Sequence, residues 1–124
     1  IVRRSGENIA VLEVESVLQR QKDVRATAVT PVPDELRGEE VFAFIIAESD
    51  AATEQAALAE RIVRESAALI SYHKLPAYVA FVDELPLSPT KKLARGEIKQ
   101  LAARAVSEGA AIDLRALKAE LRKH

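Results

Sequence analysis

Val41-Phe42-Ala43-Phe44-Ile45-Ile46 is apolar at every position, so as a strand it has no face to offer water. A strand apolar on both faces must be covered on both, which predicts that this run is the most buried strand of the fold. Just upstream, Val24 to Val32 is rich in β-branched residues and alternates loosely, which predicts another strand. Pro33-Asp34-Glu35-Leu36-Arg37-Gly38 lies between the two and reads as a turn or short loop. The pair is therefore expected to form an antiparallel hairpin.

Helical patterns flank this hairpin. Upstream, Val11, Val14, Val17 and Leu18 keep helical spacing, with Glu13, Glu15, Gln19 and Arg20 on the other face. Glu13 and Glu15 do not form a catalytic pair, because positions i and i+2 of a helix do not face each other. They read as a solvated face that also suits a helix N-terminus. Ile1 to Arg4 reads as a short strand and Ser5-Gly6-Glu7-Asn8 as a turn. Downstream, Ser49 to Thr53 is a polar linker with Thr53 as N-cap and Glu54 in the first turn. Leu58, Ile62, Ser66 and Leu69 mark the face of a helix expected to end near Tyr72, because Pro76 disfavours helix just before it. Tyr78 to Val82 predicts a strand. Ile98, Leu101, Ala102 and Ala105 predict a helix closed near Gly109, and Asp113 is expected to cap a last helix over Leu114 to Leu121. The class expected is α+β: a small sheet of about three strands with helices packed on it, plus a short N-terminal hairpin. Residues 1–124 form one domain, of which 113–124 are a C-terminal helical extension.

Composition narrows the function classes. With 48% hydrophobic and 30% charged residues the chain is an ordinary globular domain. A net charge of -1 gives no field to recruit nucleic acid or an anionic membrane. The absence of cysteine excludes disulfides, a thiol nucleophile and thiolate metal sites, and fits a cytoplasmic protein. No apolar run reaches the roughly 20 residues of a membrane span. The sequence has no initiator methionine and no signal-peptide pattern, so it reads as a piece of something longer. There is no phosphate loop of the P-loop type, no dinucleotide fingerprint and no metal-ligand pattern. His73 and His124 read as surface histidines, and Ser88 has no His-Asp set to make a hydrolase triad.

The stretch that bears on chemistry is Asp83-Glu84-Leu85-Pro86-Leu87-Ser88-Pro89-Thr90-Lys91-Lys92-Leu93-Ala94-Arg95. Its prolines rule out a regular element, so it reads as a stiff loop presenting two adjacent lysines, a charge type suited to anionic oxygens. This loop resembles the C-terminal signature of the adenylate-forming enzymes (acyl-CoA synthetases, peptide-synthetase adenylation domains, luciferases), on which Leu85, Pro86, Ser88, Thr90, Lys92 and Arg95 fall. Lys91 stands where that pattern has glycine. Three further segments match in family order: Gly6-Glu7-Asn8-Ile9 with Glu13-Val14-Glu15, Val32-Pro33-Asp34-Glu35 with Gly38-Glu39, and Tyr72-x-Lys74-x-Pro76.

The resemblance implies a C-terminal lid domain that rotates between two half-reactions. It implies Lys92 as the catalytic lysine of adenylation, and a loop of Ser5, Gly6 and Glu7 beside the pantetheine arm of CoA. ATP, Mg²⁺ and CoA are implied for the intact enzyme and none for this chain alone. The implied partners are the missing N-terminal domain of the same chain and a carboxylic acid substrate. Two other readings stand beside it: the adenylation subdomain of a peptide synthetase, and a stand-alone βα binding or regulatory module whose lysine loop meets an anionic partner.

Overall fold

The computed structural model describes residues 1–48 and 54–122. The elements are β1 (Val2–Arg4), β2 (Glu7–Ile9), α1 (Val11–Gln19), β3 (Val24–Asp34), β4 (Gly38–Ala47), α2 (Gln55–Ser66), a 3₁₀ turn (Tyr72–Lys74), β5 (Tyr78–Phe81), α3 (Arg95–Ser107), β6 (Ile112–Asp113) and α4 (Arg115–Leu121). The class is α+β, as expected, but among the described residues the sheet has six strands rather than about three. The N-terminal hairpin joins the sheet through Arg4 opposite Gly38, and Ile112–Asp113 adds a strand beside β5. The hairpin was expected, though apart from the sheet, whereas the two-residue β6 is too short to leave a period-2 signature in the sequence.

The β3–β4 hairpin forms as expected, antiparallel from Ala26 opposite Ile46 to Asp34 opposite Gly38. β3 runs on through Pro31 and Pro33 because it pairs only with β4. A proline in an edge strand loses no ladder bond when its nitrogen faces outward. Asp34 Oδ2 then accepts the N–H groups of Leu36 and Arg37 at 3.1 and 2.8 Å, which makes the turn. β5 lies parallel to β4, with Phe42 opposite Tyr78.

β4 is buried on both faces. Val41, Ala43 and Ile45 meet α1, α2 and α4 through Val14, Leu18, Leu58, Ile62, Leu114 and Leu117. Phe42 and Phe44 point to the other side and meet Ile98 and Ala102 of α3. Each fully covered valine, leucine, isoleucine or phenylalanine here contributes about 1.5–3 kcal/mol of burial.

Glu7 and Asn8, expected in the turn, lie in β2, and two further boundaries differ from the sequence pattern. α2 stops at Ser66, short of Tyr72, and Leu69 is half exposed rather than on the buried face. The alanine-rich stretch favours helix, but Ala77 must reach Val41 O, 2.8 Å away, so the chain turns early. Ser66 is buried as expected, with its hydroxyl satisfied by Ile62 O at 2.8 Å. Asp113 sits in β6 and still accepts the Arg115 N–H at 3.0 Å, which serves the start of α4. The expected cap Thr53 and the histidine His124 lie outside the described residues.

Candidate functional site

The Lys92 loop is a tight hairpin rather than an open connection. Leu87 bridges Leu93, and Ser88 N–H donates to Lys92 O at 2.7 Å. Lys91 N–H donates back to Ser88 O at 2.8 Å, and the Ser88 and Thr90 hydroxyls are 3.0 Å apart. Lys91 has φ +64°, the left-handed conformation that glycine adopts without cost. Lys91 and Lys92 are both exposed. Among the described residues, neither has an acidic partner. Because a side chain in the left-handed region costs about 1–2 kcal/mol, Lys91→Gly is expected to raise the urea midpoint of the domain. A lowered midpoint would show that the Lys91 side chain supports the loop.

The loop's base is pinned by the first residue of α3. Arg95 grips Glu15 in a two-toothed ion pair of 2.5 and 3.0 Å. Glu15 Oε2 also accepts the Val29 N–H at 2.7 Å, while Arg95 reaches Val29 O at 3.3 Å. Glu15 therefore belongs to a link between α1, β3 and the loop, not to a solvated face. Glu13 is likewise paired, 3.0 Å from Lys74 Nζ. The i, i+2 spacing kept the two glutamates apart, and what it could not show was a partner for each from a distant segment.

The second expected site is the turn between β1 and β2. Ser5 and Gly6 have φ +51° and +83°, the mirror-image turn that suits the twist of a two-residue hairpin. Ser5 N–H is held by Arg37 O at 2.8 Å. A Cβ on Gly6 would meet nothing within 4 Å, so the space above this backbone is open. Gly6 is thus needed for its φ and also leaves a ligand room to approach. Glu7 lies 2.9 Å from His73 Nε2. His73 is half-buried and paired with Glu7, not the surface histidine expected from the sequence.

Behind this turn lies a buried network that sequence reading missed. Glu40 Oε1 accepts from Arg4 Nε at 2.6 Å, and Glu40 Oε2 accepts from Lys118 Nζ at 2.8 Å. Arg4, Glu40 and Lys118 are 6%, 3% and 2% exposed, so these charges are satisfied by each other rather than by water. Burial pulls the Lys118 ammonium down to about 8, with Glu40 offsetting part of that. A signal was available: Lys118 falls on the apolar stripe of Leu114, Leu117 and Leu121, where a lysine needs a reason.

The chain thus carries two separate loops: one offers exposed cations on a fixed hairpin, the other an open backbone turn. Among the described residues no group of three or more His, Asp or Glu is placed to hold a metal, and no helix is long and apolar enough to cross a membrane. Fold and loops together define a small α+β domain with two exposed loops. Residues 13–92 match the family described as the AMP-binding enzyme C-terminal domain, and the chain belongs to that family. It is 39% identical over 101 residues to a 2-succinylbenzoate–CoA ligase of Geobacillus kaustophilus, covering 82% of this chain and 20% of the ligase. It is 33% identical over 95 residues to a sulfoacetate–CoA ligase of Cupriavidus necator, covering 77% of this chain and 18% of that protein. The crystal structure of a Brucella canis acyl-CoA synthetase superposes with a TM-score of 0.77 at 32% identity, over 86% of this chain and 19% of the other. The chain therefore spans about a fifth of the length of the relatives it matches.

Proposed function

We propose that this chain is the lid of an ATP-dependent acyl-CoA synthetase, with Lys92 serving adenylation and the Ser5-Gly6-Glu7 loop serving thioester formation. In the first step a substrate carboxylate oxygen attacks the α-phosphorus of ATP, the bond to pyrophosphate breaks, and an acyl-adenylate forms. In the second the CoA thiol attacks the acyl carbon, losing its proton, and AMP leaves. Lys92 would face the carboxylate and phosphate oxygens of the first step. The observation that carries this reading is the conformation of Lys91. It keeps a glycine-like φ just before Lys92, which supports reading Lys92 as the family's lysine despite the substitution. Mg²⁺ would arrive with the nucleotide phosphates. The remaining site parts would come from the N-terminal domain. Purified residues 1–124 are accordingly expected to release no pyrophosphate from ATP above a protein-free blank, because positioning of both reactants is missing.

The loop assignment is tested by Gly6→Trp in the intact enzyme, with the two half-reactions measured separately. Thioester formation from supplied acyl-adenylate is expected to fall well below that of Gly6→Ala. Pyrophosphate release should be similar in both variants. Both substitutions carry the same backbone strain at φ +83°, so only the bulk of the indole separates them. Equal losses in the two half-reactions would overturn the assignment.

A further inference from the structure

The two residues that flank the Ser5–Gly6 turn, Arg4 and Glu7, oppose each other in the hairpin register. Each is gripped from outside the hairpin. Arg4 is held by Glu40 at 2.6 Å and lies 5.6 Å over the Tyr72 ring. Glu7 is held by His73 Nε2 at 2.9 Å. Lys118 of α4 joins both grips: its Nζ donates to Glu40 at 2.8 Å and to His73 O at 2.9 Å. Lys118 is itself fixed, because Leu114 and Leu117 are buried in the core and Leu114 N–H donates to Ala77 O at 2.7 Å. One buried ammonium on the last helix thus ties down both stems of the turn. That helix lies beyond the stretch matched by the family.

We propose that α4, through Lys118, is a positioning element for the Ser5–Gly6 loop in thioester formation. The proposal rests on the assignment of that loop to the CoA side. A turn held at both stems keeps its backbone in one place, so the thiol approaches over a fixed surface. Misplacement of a reactant by about 1 Å can cost about 10²-fold. Lys118 touches no reacting atom in this scheme and acts through Arg4 and His73.

The test uses the full-length enzyme carrying Lys118→Met, which keeps the length and apolar stem but removes the ammonium. Pyrophosphate release is expected to stay within about twofold of wild type, while kcat/KM for CoA with supplied acyl-adenylate falls about tenfold or more. Lys118→Arg, which restores a cation, should recover part of the loss. His73→Leu removes only the grip on Glu7 and should show the same split more mildly. A parallel fall in both half-reactions for Lys118→Met together with no split in His73→Leu would overturn the proposal. So would a Lys118→Met enzyme with unchanged CoA kinetics. Gly6→Trp separates the two levels of the argument. If it blocks thioester formation while Lys118→Met does not, the loop assignment stands and the role of α4 falls. If Gly6→Trp leaves thioester formation intact, the loop assignment itself is wrong.

Discussion

Lys92→Ala in the intact enzyme is expected to slow acyl-adenylate formation by about 10²–10³-fold, the usual loss when one preorganised charge contact is removed. Thioester formation from supplied acyl-adenylate should barely change. The physical basis is the charge that moves onto pyrophosphate as the P–O bond breaks. A cation about 4 Å from such an oxygen is worth roughly 4 kcal/mol at an effective dielectric near 20. The loop meets the condition of preorganisation through three features: the Leu87–Leu93 bridge, the Ser88–Lys92 backbone bond and the Arg95–Glu15 anchor. Lys91 is the internal control. Lys91→Gly should keep adenylation near wild type, because Gly fits φ +64° better than Lys does. If Lys91→Ala is the crippled variant, the register is off by one residue. If neither lysine matters, the loop is not catalytic in this protein.

Glu40→Ala is expected to destabilise the domain by about 3–5 kcal/mol at pH 7, the range for breaking a buried ion pair by removing one partner. Arg4 and Lys118 would then be two buried cations with no shared carboxylate. The loss should shrink with rising pH. The folded Lys118 ammonium is pulled down to about 8 by burial, against an ordinary value of 10.5. Between those values the unfolded chain binds a proton that the folded chain does not, so raising pH favours folding through this group. Its contribution is fully present above the unfolded value and is lost as pH falls through about 8. Without Glu40 the folded ammonium drops further, and the mutant gains more from alkali than the wild type does. Urea midpoints of both proteins at pH 7 and pH 9.5 measure this. A Glu40→Ala midpoint equal to wild type at pH 7 would show that the network adds nothing to stability.

What could be seen in the sequence follows from periodicity and local chemistry. The two-sided apolar run of β4 announced a doubly covered strand, and the β3–β4 hairpin, α1 and α3 lie where their patterns put them. Ser5–Gly6 and the Lys91–Lys92 tip were visible because turn residues and motif spacing are local. The ties between distant segments were not visible. Glu15 to Arg95 spans 80 residues and Glu40 to Lys118 spans 78, and no single-sequence period links such positions. The end of α2 was missed for a related reason: local helix propensity of the alanines lost to the need for Ala77 to join β4. Lys118 was the exception that was present and unread, a charge on an apolar stripe.

β3 is an 11-residue strand at the edge of the sheet, long enough to invite a strand from another molecule. Its outward backbone gives that strand little to hold. Val29 N–H and C=O are taken by Glu15 and Arg95. The alternation of the ladder turns positions 31 and 33 the same way as 29. Both are prolines, with no N–H to donate. Three successive outward positions thus offer no free donor, two because they lack one and one because a side chain occupies it. The contact that anchors the Lys92 loop also guards the domain against edge-to-edge aggregation.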